Sequence, residues 1–148
     1  MKYFLFVLTV AVHMSAGAQT AGDSVKAVVT KMFTAMKDAD SSALRSVFSA
    51  SVIFQSVAVN KEGKAVVRNE KADGFIEFVG QQKKGILDER IEFDVVRVDG
   101  NLASVWTPYS FYYDGKFSHC GANSFQLVRF HDGWKIQYLV DTRRKDCQ

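Results

Sequence analysis

Three Asp-Gly dipeptides, Asp99-Gly100, Asp114-Gly115 and Asp132-Gly133, divide the C-terminal half of the chain. Asp-Gly is typical of tight turns between antiparallel strands, because both residues tolerate the positive φ angles that these turns require. The segments that the dipeptides separate are rich in β-branched and aromatic residues, as strands are. They are Ile91 to Val98, Leu102 to Tyr113, Lys116 to Phe130 and Trp134 to Asp141. The pattern predicts an antiparallel meander of four strands.

A further hairpin is predicted at one edge of this sheet. Val52 to Val59 and Ala65 to Arg68 have strand composition and lie on either side of Glu62-Gly63. Pro108, the only proline of the chain, falls inside one of the predicted meander strands. Because proline has no N–H to donate to a strand ladder, we expect an edge position or a bulge there, and a bulge would bend the sheet.

Three amphipathic helices are predicted before the meander. The first has its N-cap at Asp23 or Ser24, the second starts at Asp40 or Ser41, and the third ends at Gly80. Their apolar residues recur at helical spacing. These residues are Val25, Val28, Val29, Met32, Phe33 and Met36, then Leu44, Val47 and Phe48, then Ala72, Phe75, Ile76 and Val79. Helices that precede an antiparallel sheet predict an α+β fold in which the helices cover one concave face of the sheet.

The N-terminal residues have the composition of a signal peptide. Lys2 gives a positive start, Tyr3 to Val12 form an apolar run of ten residues, and Ala16-Gly17-Ala18 is a small-x-small cleavage site. The run is shorter than the roughly 20 residues that a membrane-spanning helix needs; a buried N-terminal helix is the alternative. We expect residues 1–18 to be a signal peptide and residues 19–148 to be one exported domain, in the periplasm or outside the cell.

Export makes the two cysteines, Cys120 and Cys147, informative. An oxidising compartment lets two thiols persist as a disulfide. If the last hairpin pairs their strands, the two residues come within a few residues of register. Closing the loop would then stabilise the fold by roughly 3 kcal/mol in the chain-entropy model. The alternative is two separate thiols, one in a strand and one in the C-terminal tail.

Two-residue turns at Asp114-Gly115 and Asp132-Gly133 predict which side chains share a face of the sheet, because side chains alternate along a strand. The face placed beneath the helices is Trp106, Ser110, His119, Asn123, Phe125, Leu127, Ile136, Tyr138 and Val140. The opposite face is Tyr109, Phe111, Gln126, Val128, Phe130 and Leu139. This outer face is too apolar for water, so we expect a two-fold homodimer to cover it.

Several classes of function are disfavoured. The charge of +3, from 19 basic and 16 acidic residues, is too small and too dispersed for nucleic acid to be the main partner. Dinucleotide, P-loop and serine-hydrolase motifs are absent from the sequence. His13 leaves with the signal peptide and His131 adjoins a turn, which leaves His119 as the one histidine for a site. With Cys120 it is too few ligands for zinc, so no metal or cofactor is predicted.

An acid–base enzyme remains open. It would use His119 as the base, with Tyr138 or Tyr109 as a hydrogen-bond donor. Asp94 and Asp141 are the strand carboxylates near these residues. The predicted register places Asp141 on the outer face, where an ion pair with a nearby arginine is the expected role.

The chain resembles the nuclear-transport-factor-two-like (SnoaL-like) superfamily and, within it, an exported bacterial group labelled lumazine-binding. The order of the helices, the edge hairpin and the meander carries the resemblance, together with five short segments. These are Asn60 to Lys64, Ala103 to Tyr109, Phe117 to Gly121 with Asn123, Gly133 to Ile136, and Asp141 to Arg144 with Cys147. The resemblance implies a cone-shaped α+β domain with a deep pocket, used for isomerase, dehydratase or cyclase chemistry in some members and for binding alone in others.

The resemblance also disfavours one activity. Ketosteroid-isomerase-like members place a general-base aspartate on the first strand, where this chain has Val52-Ile53-Phe54-Gln55-Ser56. Gln55 can hydrogen-bond a ligand but cannot accept its proton. A binding role is therefore favoured over an enzyme.

Three hypotheses follow. The first is an exported protein that binds a small apolar or planar ligand in an aromatic pocket, whose residues are Gln55, Trp106, His119, Asn123 and Tyr138. The second is a cofactor-independent isomerase or dehydratase that uses His119. The third is a structural or partner-binding dimer whose interior its own side chains fill.

Overall fold

The computed structural model describes residues 20–147 and shows three helices on one side of a curved, open sheet. The predicted signal peptide, residues 1–18, lies outside the described residues. The helices are α1 (Ala21–Lys37), α2 (Ser41–Ser46) and α3 (Ala72–Gly80). In the described part of the chain no helix is long and apolar enough to cross a membrane.

The observed starts of α1 and α2 can be compared with those predicted from the sequence. α2 starts at Ser41, as predicted, and Asp40 is its N-cap, with its carboxylate accepting a 2.8 Å hydrogen bond from the N–H of Ala43. The prediction that α1 is capped by Asp23 or Ser24 is wrong. Thr20 is the N-cap, and its hydroxyl accepts from the N–H of Asp23 at 3.1 Å. The apolar periodicity begins a turn later than the helix does, so periodicity alone placed the start too late.

The sheet has seven strands in the order β2-β1-β7-β6-β5-β3, with β4 also paired to β5. The strands are β1 (Phe48–Val59), β2 (Ala65–Glu70), β3 (Leu87–Ile91), β4 (Val95–Asp99), β5 (Leu102–Tyr113), β6 (Lys116–Phe130) and β7 (Gly133–Thr142). The predicted meander and edge hairpin are both present. The hairpin joins the meander through β1, which runs parallel to β7, while the other pairs are antiparallel.

One predicted strand, Ile91 to Val98, is instead divided between β3 and β4, and both strands pair with β5. The interruption lies opposite Pro108, whose carbonyl still accepts a 3.1 Å hydrogen bond from the N–H of Glu92. Because proline has no N–H to return, the ladder breaks there. The break lets the edge of the sheet bend. β3 begins at Leu87, earlier than the sequence pattern indicated.

A β-bulge in the β5–β6 hairpin overturns the predicted register. Tyr112 pairs with Phe117 as predicted, but Ser118 is an extra residue, and the next pair is Phe111 with His119. Every pair beyond the bulge is shifted by one residue. After a shift of one residue, the β5 side chains that were predicted on one face of the sheet lie on the other face.

A second bulge lies in β7. Leu127 pairs with Ile136, Gln137 is the extra residue, and the next pair is Gln126 with Tyr138. The predicted opposition of Leu127 and Tyr138 is wrong for another reason: Phe130 pairs with Gly133, so the two-residue turn is His131-Asp132 and not Asp132-Gly133. Beyond this bulge the faces of β7 are also exchanged.

The two bulges correct the predicted faces of the sheet. Four residues predicted inside lie on the outer face: Trp106, Ser110, Tyr138 and Val140. Four residues predicted outside lie on the inner face: Tyr109, Phe111, Leu139 and Asp141. Phe125, Leu127 and Ile136 are fully buried beneath the helices as predicted, and His119 and Asn123 also lie on the inner face.

Candidate functional site

A cavity of about 590 Å³ lies between the helices and one half of the inner sheet face. Its walls are mostly apolar and aromatic. The apolar lining includes Met32, Phe33, Met36, Phe54, Phe75, Leu87, Phe111 and Leu139. The polar lining includes Gln55, Glu70, Lys71, Glu89, Tyr109, His119, Asn123, Asp141 and Arg143. A volume of this size, with apolar walls and polar groups that can orient a ligand, is typical of small-molecule sites.

Glu89, on β3, is the most perturbed acid of the cavity. Its Oε1 accepts a 2.8 Å hydrogen bond from Nδ2 of Asn123, on β6. Burial raises the pKa of Glu89 to about 7, and the negative charge of Asp141 adds to the effect. The hydrogen bond from Asn123 and the positive charge of Arg143 oppose this rise in pKa. Near neutral pH the carboxyl is thus divided between its protonated and ionised forms.

Tyr109 closes the polar end of the cavity beside Glu89. It is buried, and its hydroxyl donates a 2.9 Å hydrogen bond to the carbonyl oxygen of Thr142. Burial, followed by the nearby negative charge of Glu89, raises the pKa of the Tyr109 phenol, so this hydroxyl stays protonated. Gly121 permits the contact, because a β-carbon there would collide with the Thr142 carbonyl and lie 2.7 Å from the Tyr109 ring.

Arg143 joins two acids at the rim. Its Nε lies 2.8 Å from Oδ2 of Asp141, and its Nη2 lies 3.5 Å from Oε1 of Glu70. The expected ion pair between Asp141 and an arginine is therefore present, although it lies on the inner face. Arg143 is held by two carboxylates and faces the cavity without bonding to Glu89.

His119 lies on the cavity wall among aromatic rings. Its ring centroid is 5.0 Å from that of Phe111 and 5.8 Å from that of Tyr109, and its Nδ1 is 3.0 Å from the hydroxyl of Ser118. Burial lowers the pKa of His119, and the charge of Arg143 lowers it further. The imidazole is consequently neutral at pH 7 and adds no positive charge to the site.

The structure brings together three of the five predicted ligand-binding residues. Gln55, His119 and Asn123 border the cavity, but the side-chain amide of Gln55 bonds to Tyr138 and Asn69 on the outer side of the sheet. Trp106 does not, because it lies on the outer face with 42% of its surface exposed. Tyr138 also lies outside, where its hydroxyl donates a 2.6 Å hydrogen bond to Oε1 of Gln55. Trp106 and Tyr138 were predicted on the wrong face because each lies beyond a bulge that exchanges the faces of the sheet.

Sequence reasoning missed Glu89, Tyr109 and Asp141 as cavity residues. The last two were assigned to the wrong face. Glu89 fell outside the predicted strand, which began at Ile91. The three consecutive charged residues of β3, Asp88 to Arg90, lack the alternation of apolar and polar residues that marks a half-buried strand.

A disulfide joins Cys120, which follows the cavity residue His119 on β6, to Cys147, with their Cα atoms 6.1 Å apart. The predicted pairing is therefore present. Cys120 also forms a backbone bridge with Arg144, with hydrogen bonds of 3.0 and 2.9 Å between their main chains. The segment that carries Asp141 and Arg143 is thus fastened to β6 immediately after the cavity wall. Within residues 20–147 no cluster of three or more histidine, cysteine or acidic side chains is arranged to hold a metal ion.

No protein-family model and no curated protein matches the chain. Solved structures do match it. An NTF2-like protein of unknown function from Shewanella baltica has a TM-score of 0.63 and 15% identity over 83% of this chain and 93% of that one. A domain of unknown function with a cystatin-like fold from Nostoc punctiforme has a TM-score of 0.64 and 20% identity over 86% and 80%.

A third similar structure is a candidate dehydratase of the NTF2-like family from Streptomyces avermitilis. Its TM-score is 0.62, with 15% identity over 84% of this chain and 96% of that one. At such identities the likeness shows the fold and not the activity. The chain has the NTF2-like, cystatin-like cone fold, as the sequence resemblance implied.

Proposed function

We propose that the chain binds a small molecule inside the cone. One observation carries the proposal: the inner sheet face and the helices leave a cavity of about 590 Å³ with apolar walls and a polar end. The cavity disfavours the third hypothesis, an interior filled by the protein's own side chains. The apolar walls favour a ligand with an apolar body, and the polar end at Glu89 and Asn123 would fix its orientation.

A blocked cavity tests the proposal. Gly74, on α3, lines the cavity, and no atom lies within 4 Å of the position that its β-carbon would take. Gly74→Trp adds a large side chain at the cavity wall without a clash at the backbone. The same change at Gly22, in the first turn of α1, is the matched control.

Thermal shifts would be measured against planar heterocycles, steroids and polyketide-like compounds. We expect at least one compound class to raise the Tm of the parent protein and of Gly22→Trp, and to lose that effect in Gly74→Trp. Equal shifts in both variants would place the binding elsewhere. A parent protein that no compound stabilises would contradict the proposal.

A second function, cofactor-independent isomerase or dehydratase chemistry, is favoured by the pKa of Glu89. A carboxyl group with a pKa of about 7 is suited to both accept and donate a proton at neutral pH. Glu89 therefore replaces His119 as the residue that would act as base. Turnover of a bound compound that Glu89→Gln abolishes, with binding retained, would support this function; turnover that survives would contradict it.

We further propose that the protein is exported and forms a homodimer through its outer sheet face. The Cys120–Cys147 disulfide supports export, because such bonds persist in oxidising compartments. Exposed apolar side chains on the outer face support a second copy as its partner; these are Ile53, Val95, Leu102 and Trp106. Light scattering at micromolar concentration would show twice the monomer mass, and a monomer would contradict the dimer.

A further inference from the structure

Glu89 has no cationic partner among the described residues. Within residues 20–147, no lysine, arginine or histidine nitrogen lies within 4.0 Å of its carboxylate, and its side-chain partner is the neutral amide of Asn123. The carboxyl nevertheless belongs to a half-buried residue of the cavity wall, and burial is the main cause of its raised pKa. An ionised carboxylate in such a place is unstable unless a positive charge comes close to it.

The charged groups around Glu89 do not supply a positive charge close to its carboxylate. Arg143 is bound to Asp141 and Glu70, and Lys71 is an exposed residue at the cavity wall. His119 and Tyr109, which face Glu89 from β6 and β5, are neutral near pH 7. With Glu89 ionised, the acids of the cavity lining (Glu70, Glu89 and Asp141) outnumber its bases (Lys71 and Arg143) by one.

Aromatic rings line the cavity, and one of them, Phe111, lies on β5 directly opposite Glu89. Phe33, Phe54, Phe75 and Phe111 line the same cavity, and Phe54 packs edge-on against Phe75 with centroids 5.7 Å apart. The faces of aromatic rings attract cations, and the attraction is larger away from water. A single positive charge attached to an apolar body would therefore match the excess negative charge, the aromatic rings and the remaining apolar wall.

We infer that the ligand of the cavity is an amine, whose protonated nitrogen pairs with the Glu89 carboxylate while its apolar body lies against the phenylalanine rings. The inference rests on the proposed binding function and names the ligand class. A neutral ligand that accepts a hydrogen bond would instead need the protonated form of Glu89. The two classes therefore have opposite pH dependence: amine binding strengthens as pH rises through about 7, and binding of a neutral acceptor weakens.

Matched ligand pairs provide the test. Phenethylamine, tryptamine and dodecylamine would be compared by titration calorimetry with the alcohols of the same skeletons, at about pH 6 and about pH 8. We expect at least one amine to bind on the order of tenfold more tightly than its alcohol at the higher pH. At the lower pH, amine binding should release a proton from Glu89, which buffers of different ionisation enthalpy reveal.

Glu89→Gln keeps the shape of the side chain and removes the charge. It should abolish the preference for the amine and the proton release while the alcohol still binds. Glu70→Gln, which removes a half-exposed carboxylate at the rim, is the matched control and should retain both effects. The proton release of the parent protein is a readout that holds even if Glu89→Gln fails to fold.

The outcomes separate this inference from the proposed function. An alcohol, or any neutral compound of the wider panel, that binds as tightly as every amine would overturn the amine and leave the binding function standing. An amine preference that survives in Glu89→Gln would overturn the pairing with Glu89. Absence of binding by every amine and every neutral compound would overturn both.

Discussion

The two halves of the β5–β6 hairpin enclose very different interiors. In the half near Ala103 and Leu127 the inner face is filled, and Val105, Phe125 and Leu127 are almost completely buried beneath α1. In the other half the same two strands line the cavity. We call the first the packed half and the second the open half, which runs from Thr107 to Phe111 on β5 and from His119 to Asn123 on β6.

Side-chain volume and polarity account for the difference. Phe125, in the packed half, reaches the helix layer and meets Phe33 edge-on, with ring centroids 6.1 Å apart. In the open half Gly121 has no side chain, and the side-chain amide of Asn123 donates a hydrogen bond to Glu89. A hydrogen-bond network and a disulfide hold the open half where large apolar side chains hold the packed one. The cavity thus forms because large side chains do not fill the space over one end of the continuous sheet.

The largest expected effect is the loss of a filled position. Phe125→Ala should lower the free energy of unfolding by about 3 to 5 kcal/mol, because it removes a fully buried ring and leaves a void. Phe111→Ala, in the open half, should cost less than half as much, since that ring is only partly buried and already borders a cavity. Urea unfolding measures both, and equal losses would mean that the two halves are packed alike.

The second prediction concerns the covalent bond of the open half. Replacing Cys120 and Cys147 by serine should lower the free energy of unfolding by roughly 3 kcal/mol, as the chain-entropy model gives for a loop of 27 residues. Hydrogen exchange should quicken first at Thr142 to Arg144, whose main chain pairs with β6 there. Exchange that quickens equally in the packed half would contradict the assignment of the disulfide to the open half.

The sequence predicts the packed half better than the open half. The Asp-Gly turns and the helical spacing from Val25 to Met36 led to the correct α+β architecture, and Phe125, Leu127 and Ile136 are inside as expected. These are strong local patterns, repeated along the chain. In this part of the molecule burial and pattern agree.

The open half was mispredicted because bulges leave no reliable mark in a single sequence. Ser118 and Gln137 are ordinary strand residues, yet each adds one position and exchanges the faces beyond it. Trp106 was therefore placed inside and Tyr109 outside. Pro108 did indicate an irregularity, but the interruption lies on the neighbouring edge, between β3 and β4. Glu89 lies before Ile91, where the predicted strand began, and was therefore not assigned to the sheet.

The third prediction contrasts two adjacent carboxyl groups of β3. Because the pKa of Glu89 is raised to about 7 from 4.5, the folded state binds its proton more tightly than the unfolded state does. This stabilisation is fully present below about pH 4.5 and is lost as pH rises through about 7, a change of about 3 kcal/mol. In Glu89→Gln this part of the pH dependence should be absent from unfolding curves.

Asp88, on the other side of the strand, should behave in the opposite way. Burial alone would raise its pKa, but hydrogen bonds from Lys37 and Arg90, each 3.0 Å away, lower it below the usual value. The stabilisation that Asp88 gives is therefore present above its ordinary pKa and lost as pH falls below it. Asp88→Asn should be destabilising at neutral pH and less so in acid. A parallel response in the two variants would show that both carboxyls have the same surroundings.

The smallest expected effect is on the outer face. Trp106→Ala removes a large aromatic side chain, but its exposed position predicts a loss of only about 0.5 kcal/mol in the stability of the monomer. Ligand affinity should stay within about twofold of the parent value, because Trp106 does not line the cavity. The mass measured by light scattering should instead fall toward that of a monomer, since the change removes apolar surface from the proposed dimer contact. A variant that remains dimeric but loses its ligand would place Trp106 on the cavity side and would restore the register that the bulge at Ser118 excludes.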